Sequence, residues 1–140
     1  MDNLPSLSTQ ELPVRLNEVE GPVKYMLMIC RDEPAWDKLS VNERQQIYAE
    51  TLKLSEELTA RGQYLGGFPL HPSSSATSVR VRNGKQLVTD GPFAETREQL
   101  GGYMLIDVKD LDEAIAIAAR VPLARTSTVE IRPVREGQPT

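Results

Sequence analysis

Two segments of the chain begin with nearly the same apolar run, and this internal similarity limits the folds that the chain can adopt. KYMLMICRD at 24–32 and GYMLIDVKD at 102–110 share Tyr-Met-Leu and end in a basic–acidic pair. Each run is apolar enough for a buried strand, and a helical pattern follows each of them. The chain has 140 residues, which suits one domain, so the two strand–helix units predict an α+β fold with one sheet.

Turn and cap signals define the elements between the two units. Ser40 and Glu43 form a capping box, and apolar residues then recur at helical spacing, which predicts a helix over 41–61. Asn83-Gly84 separates two alternating runs by two residues, the signal of a type I′ hairpin. Strands are predicted at 23–30, 62–68, 101–108 and 127–134, and a second helix begins at Asp110. This order predicts a ferredoxin-like split β-α-β domain with an inserted β-hairpin.

The first strand, VKYMLMIC, is apolar on both of its alternating faces. Helices cover only one face of such a sheet, so we expect a second subunit to cover the other face and form a homodimer. Residues 23–134 are then the single domain. Residues 1–22, which contain three prolines, are expected to form an N-terminal arm packed on its own domain or on a neighbouring subunit, and 135–140 a C-terminal tail.

Composition argues against several partners. The net charge of −4 disfavours binding along a phosphate backbone, and no RNA-binding aromatic motif is present, so no nucleic-acid partner is expected. No apolar run approaches the roughly 20 residues of a membrane span, and no secretory signal pattern opens the chain, so a cytoplasmic location is expected. Cys30 and His71 alone cannot build a zinc site, and no cofactor or metal is expected.

The segment VTDGPFAETREQLGG, residues 88–102, is the best candidate for a site. Pro92 pushes Gly91 toward an extended or positive-φ conformation, and a short helical turn through 94–97 is predicted to follow. Asp90 then lies outside the helix start, where its carboxylate can act as a general base or as a hydrogen-bonding anchor. Phe93 would supply an apolar wall that makes this carboxylate more basic.

A plainer interpretation of the same segment stays open. Asp before Gly is common in turns, where its side chain bonds the backbone, and Asp90 could do only that. Glu95 and Arg97 are either substrate-binding groups or ordinary surface charges at the start of a short helix.

Four further residues are candidates for the same site. His71 could exchange a proton with Asp90 if its loop folds over the site, or it could simply be exposed. Arg80 and Arg82 share one face of a strand and could clamp a carboxylate or phosphate, or lie on a solvated hairpin face. Trp36 could be a lid over the cleft or a packing anchor.

The stretch ATSVRVRNGKQ followed by VTDGPFAETREQLGGYMLIDV resembles the DGPF-type branch of the YCII-related family. The hallmark of that branch is Asp-Gly-Pro-Phe followed by Glu, a basic residue and Glu, and the likeness covers about 23–134. The resemblance implies a dimeric α+β barrel of ferredoxin-like subunits with a site near the Asp90 loop. The chain departs from the family in RDEPAWDKLS, which lacks the histidine of a His-Asp pair, and at Arg125-Thr126-Ser127, where relatives often carry Tyr-Gly or His-Gly.

Two functions of different classes follow. The first is a cofactor-free lyase, isomerase or hydrolase for a small anionic molecule, with Asp90 as acid/base in a cleft near the dimer interface, assisted by His71. The second is a non-catalytic binding or regulatory accessory protein, suggested by the frequent company of DGPF proteins with extracytoplasmic-function sigma factors. The first function predicts a partly apolar pocket at Asp90, and the second an Asp90 bonded to backbone and an exposed apolar patch.

Overall fold

The structure, a computed structural model, describes residues 23–136. The predicted N-terminal arm and residues 137–140 of the predicted tail lie outside this range. The strands are β1 (Val23–Asp32), β2 (Tyr64–Pro69), β3 (Thr77–Arg82), β4 (Lys85–Asp90), β5 (Glu98–Val108) and β6 (Val129–Pro133). The helices are α1 (Glu33–Asp37), α2 (Val41–Ala60) and α3 (Leu111–Ala118), with short 3₁₀ turns at Ser73–Ser75 and Pro122–Arg125.

Four strands form an antiparallel sheet in the order β2-β5-β1-β6, and β3 and β4 form a separate two-stranded hairpin. Helix α2 connects β1 to β2, and α3 connects β5 to β6. The predicted α+β class and the inserted hairpin are therefore confirmed. The strand order is compatible with the predicted split β-α-β arrangement, and the described residues form no closed barrel.

The core lies between one face of this sheet and the two long helices. Alternate residues of β1, namely Tyr25, Leu27 and Ile29, are buried on this face. They pack with a cluster from β5, α2, α3 and the segment after α3: Leu54, Leu58, Met104, Ile106, Val108, Ala114, Ile117, Ala118 and Val121. Leu27 has no exposed surface, so its truncation to alanine is expected to cost about 2–5 kcal/mol.

The opposite face of the sheet is apolar at its centre but less well covered. Met26, Met28 and Leu105 are only half-buried there. Phe68 is 68% exposed and meets the ring of Tyr103 edge to face, with 6.4 Å between the ring centroids. We call these five side chains the open face of the sheet.

Local signals in the sequence correspond closely to the ends of the elements. The Ser40 hydroxyl accepts from the Glu43 backbone N–H, and the Glu43 carboxylate accepts from the Ser40 N–H, so the capping box is formed. Asn83 and Gly84 have φ of 52° and 75°, as a type I′ turn requires. Among the described helices, none has the length and apolar character that a membrane crossing needs.

The predicted helical turn at 94–97 is wrong, because this segment forms only bends. The side-chain amide of Gln99 donates to the carbonyls of Ala94 and Thr96, at 3.1 and 3.0 Å. These bonds satisfy carbonyls that a helix would otherwise use, so the segment is held as an irregular loop.

Candidate functional site

Arg31 is a charged residue on the buried face of the sheet. It continues the alternation of Tyr25, Leu27 and Ile29 along β1 and is only 3% exposed. One guanidinium nitrogen, Nη2, donates to the Leu70 carbonyl at 3.3 Å, while Nε is buried and has no hydrogen-bond partner among residues 23–136. No carboxylate of residues 23–136 lies within ion-pair distance of this guanidinium. A cation in this position is costly, since desolvation penalises a buried charge by several kcal/mol unless it is paired.

The two acidic residues that follow Arg31 are committed elsewhere. The Asp32 carboxylate accepts from the Ala35 backbone N–H at 3.0 Å and from Arg97 Nε at 2.6 Å. The Ala35 N–H, followed by the Arg97 guanidinium, holds the pKa of Asp32 below its ordinary value. The Glu33 carboxylate accepts from the backbone N–H of Ser73, at 2.8 Å, and from its hydroxyl. Neither acid therefore neutralises Arg31.

The ring of Trp36 provides partial compensation for this buried charge. The Arg31 guanidinium carbon lies 4.7 Å from the ring centroid, and that of Arg44 lies at 5.7 Å. Tyr48 packs edge-on against the same ring, with the centroids 5.6 Å apart. Trp36 is 7% exposed, so its ring is packed within this cluster. A cation–π contact offers about 0.5–2 kcal/mol, less than the cost of burying the charge.

Gly101 makes room for the arginine stem. A Cβ atom at this position would lie 3.0 Å from Arg31 Cδ and 3.1 Å from Cγ, tighter than ordinary van der Waals contact. Gly101, the first glycine of the Gly-Gly pair that ends the Asp-Gly-Pro-Phe segment, thus lets β5 accommodate the Arg31 side chain on β1.

Two cavities adjoin Arg31 and Trp36, which line both of them. The first cavity, of about 440 Å³, lies between α2 and the sheet. We call it the inner cavity. The second, of about 470 Å³, is bounded by α1, by 72–74 and by the 91–99 loop, and we call it the outer cavity. Both volumes fall within the roughly 300–1,000 Å³ of small-molecule sites.

The outer cavity brings together part of the predicted site. Trp36, Glu95 and Arg97 all line it, together with Gly91 and Pro92 of the Asp-Gly-Pro-Phe motif. Gly91 has a φ of 97°, and its N–H donates to the Ala76 carbonyl at 2.7 Å. The motif therefore turns the chain back from the hairpin toward α1 and forms one wall of the cavity.

Asp90 itself lies beside this cavity rather than in its lining. It is the last residue of β4, is exposed, and its carboxylate has no hydrogen-bond or ion-pair partner within residues 23–136. Phe93 is 83% exposed, so the apolar wall predicted for it does not shield Asp90 within this chain. His71 is also exposed, and no hydrogen bond joins it to Asp90 in the described part of the chain.

The arginines predicted to hold an anion lie elsewhere. Arg80 and Arg82 are exposed on the hairpin and line neither cavity. The buried guanidinium that the sequence interpretation missed is Arg31. Its position two residues beyond Ile29, on the face shared by Tyr25, Leu27 and Ile29, is the signal that would have revealed it.

Comparisons with known proteins agree on one family. The family model described as the YCII-related domain matches residues 23–138. An uncharacterized protein of Rhizobium meliloti (strain 1021) is 32% identical over 117 residues, which is 82% of this chain and 94% of that relative.

Proposed function

The chain belongs to the YCII-related family, and from this premise we propose that it binds a small anionic molecule through the guanidinium of Arg31. One observation carries the proposal: the guanidinium of Arg31 is buried where the two cavities adjoin, and its Nε has no hydrogen-bond partner in the described part of the chain. An anion at this point would supply the counter-charge that Asp32 and Glu33 do not provide.

The geometry favours Arg31 over Arg80 and Arg82 as the anion-binding group. An exposed guanidinium competes with water and salt for an anion, and an exposed pair contributes little. A desolvated guanidinium attracts an anion more strongly, and its fork of N–H groups matches a carboxylate or phosphate.

We also propose a ferredoxin-like subunit that forms a homodimer, with the open faces of two sheets packed together into an α+β barrel. The strand order β2-β5-β1-β6 and the half-buried Met26, Met28 and Leu105 support this proposal. Sedimentation velocity of wild type and Met28→Glu tests it, with Val79→Glu on the hairpin as control. We expect the wild type and the control to be dimers and Met28→Glu to be a folded monomer. A monomeric wild type would refute the dimer.

A catalytic role for Asp90, with or without His71, stays a prediction. The support for it is limited to the Asp90 carboxylate at the end of β4, which has no partner among the residues that the structure describes, since neither Asp90 nor His71 lines the two cavities. The alternative of a regulatory accessory protein linked to extracytoplasmic-function sigma factors also stays a prediction, and so does a cytoplasmic location. Anion binding at Arg31 is common to the enzyme and to a ligand-binding regulator.

The single tryptophan provides a direct test of anion binding. Trp36 stacks on Arg31, so a carboxylate that reaches the guanidinium should change the Trp36 fluorescence. We would titrate the wild type with sodium butyrate at constant ionic strength, and with butyramide as its neutral equivalent. Saturable binding of butyrate, but not of butyramide, is the expected result.

Two variants give the titration its specificity. Arg31→Met keeps the length of the stem and removes the charge, so butyrate binding should be lost. Arg82→Met removes an exposed guanidinium and should leave binding unchanged. Equal butyrate binding by wild type and Arg31→Met would overturn the proposal, as would the absence of any saturable response to butyrate.

A further inference from the structure

We infer that the ligand is an amphipathic monoanion, a carboxylate whose apolar body occupies the inner cavity while its head is held by Arg31. This inference rests on the proposed function and specifies the chemical class of the ligand. It follows from the contrast between the two cavities that adjoin Arg31.

The lining of the inner cavity is almost entirely apolar, which suits the apolar part of a ligand. Its walls come from α2, from the core face of β1 and from the facing parts of β2 and β5. The aliphatic residues Ile47, Leu52 and Met104 line it, and so do the aromatic residues Trp36 and Tyr48. Among the described residues that line it, Arg31 is the only one with a permanent charge.

Polar side chains in the inner cavity are largely satisfied by their own backbone. Thr51 donates its hydroxyl to the Ile47 carbonyl at 2.8 Å, and Ser55 donates to the Leu52 carbonyl at 2.7 Å. The Tyr64 hydroxyl donates to the Gly67 carbonyl at 3.3 Å. Because these donors are used, a ligand with a polar body would lose its bonds to water and find few replacements.

The outer cavity explains why the ligand should carry one negative charge rather than two. Three carboxylates line it, those of Glu33, Asp37 and Glu95. Besides Arg31, its lining includes Arg97, which is already paired with Asp32. A second anionic group that extended from Arg31 into this cavity would face like charges, while one that extended into the inner cavity would be desolvated without a partner.

A homologous ligand series tests this inference. We would measure the binding of acetate, butyrate, hexanoate and octanoate to the full-length protein through Trp36 fluorescence, at constant ionic strength and below micelle-forming concentrations. Each buried methylene should raise affinity about threefold to fourfold until the cavity is full. Suberate, which has the same length as octanoate and a second carboxylate, should bind at least tenfold more weakly than octanoate.

A matched pair of variants locates the apolar body. Thr51→Leu places extra bulk in the inner cavity, whereas Thr59→Leu makes the same change at an exposed position of α2 outside that lining. Thr51→Leu should weaken octanoate binding at least tenfold with little effect on acetate, and Thr59→Leu should match wild type. Circular dichroism confirms that both variants are folded.

The possible outcomes separate this inference from the proposed function. If all four carboxylates bind equally and Arg31→Met abolishes binding, Arg31 holds an anion but the inner cavity does not hold an apolar body. If octanoate binds equally to wild type, Thr51→Leu and Arg31→Met, it binds at another surface, and both proposals fail. If suberate equals octanoate, the restriction to monoanions is wrong.

Discussion

Replacement of Arg31 by methionine should make the unliganded protein more stable while removing its ability to bind an anion. The guanidinium is buried, and its Nε finds no hydrogen-bond partner within 23–136. Methionine follows the same path as the arginine stem and fills the space of that stem without a charge. Buried charges replaced by apolar groups of similar volume often leave proteins equally stable or about 1–4 kcal/mol more stable.

The structure sets the size of the expected change. The variant recovers the cost of desolvating the charge, several kcal/mol. It loses the cation–π contact with Trp36, about 0.5–2 kcal/mol, and the 3.3 Å hydrogen bond to Leu70, about 1 kcal/mol. We therefore expect a net stabilisation of about 1–3 kcal/mol, or a rise of roughly 3–10 °C in Tm.

Urea denaturation followed by circular dichroism measures this difference without using the altered Trp36 as the probe. The m value should stay constant while the midpoint rises. Arg82→Met, an exposed control, should change the free energy of unfolding by less than about 0.5 kcal/mol. A loss of more than about 1 kcal/mol in Arg31→Met would refute the reasoning, because the guanidinium would then be a net structural support.

Three further predictions concern positions that the structure explains directly. Gly67→Ala should lower the free energy of unfolding, measured by thermal denaturation, by at least about 2 kcal/mol, because its Cβ would lie 2.3 Å from the Tyr103 carbonyl oxygen. A loss below about 0.5 kcal/mol would contradict the close approach of β2 and β5. Ser40→Ala should lower the free energy of unfolding by about 1 kcal/mol in urea, because the capping box at α2 is lost. Arg97→Met should raise the pKa of Asp32, as measured by carboxyl carbon NMR, but leave it below its ordinary value because the Ala35 N–H remains. Because the pKa of Asp32 is lower in the folded than in the unfolded state, its ionised form stabilises the fold at pH values above the unfolded-state pKa. This stabilisation is lost as the pH falls through the folded-state pKa, so Arg97→Met should lose it at a higher pH than wild type.

Much of the fold could be predicted because its signals are local. The capping box at Ser40, the Asn83-Gly84 turn and the Asp110 cap each involve bonds between residues only a few positions apart. Helix α2 was expected at 41–61 and spans Val41–Ala60. The start of β5 was harder to predict. The strand was expected from residue 101, but pairing with Arg31 and Asp32 of β1 extends it back to Glu98.

The site could be predicted only in part, because its essential contacts are not local. The 88–102 segment does supply a wall of the outer cavity, as its unusual composition indicated. The prediction of a helical turn in this segment was wrong because the Gln99 side-chain amide bonds the carbonyls of Ala94 and Thr96. Rules for turn residues do not take such side-chain donors into account. Arg31 was overlooked because nothing in its neighbours shows that Asp32 and Glu33 bond other residues and leave it unpaired.

Asp32 accepts hydrogen bonds from two different segments, and this affects how mutations in this protein combine. The same carboxylate caps α1 through Ala35 and pairs with Arg97 from the loop after the Asp-Gly-Pro-Phe motif, and the Glu33 N–H donates to the Arg97 carbonyl at 3.4 Å. Trp36 lies on that helix, against Arg31. A substitution in the loop can therefore shift the Arg31 guanidinium even where the substituted residue does not contact a ligand. Substitutions at 90–97 and at 32–36 should accordingly show epistasis, so that their effects on affinity are not additive.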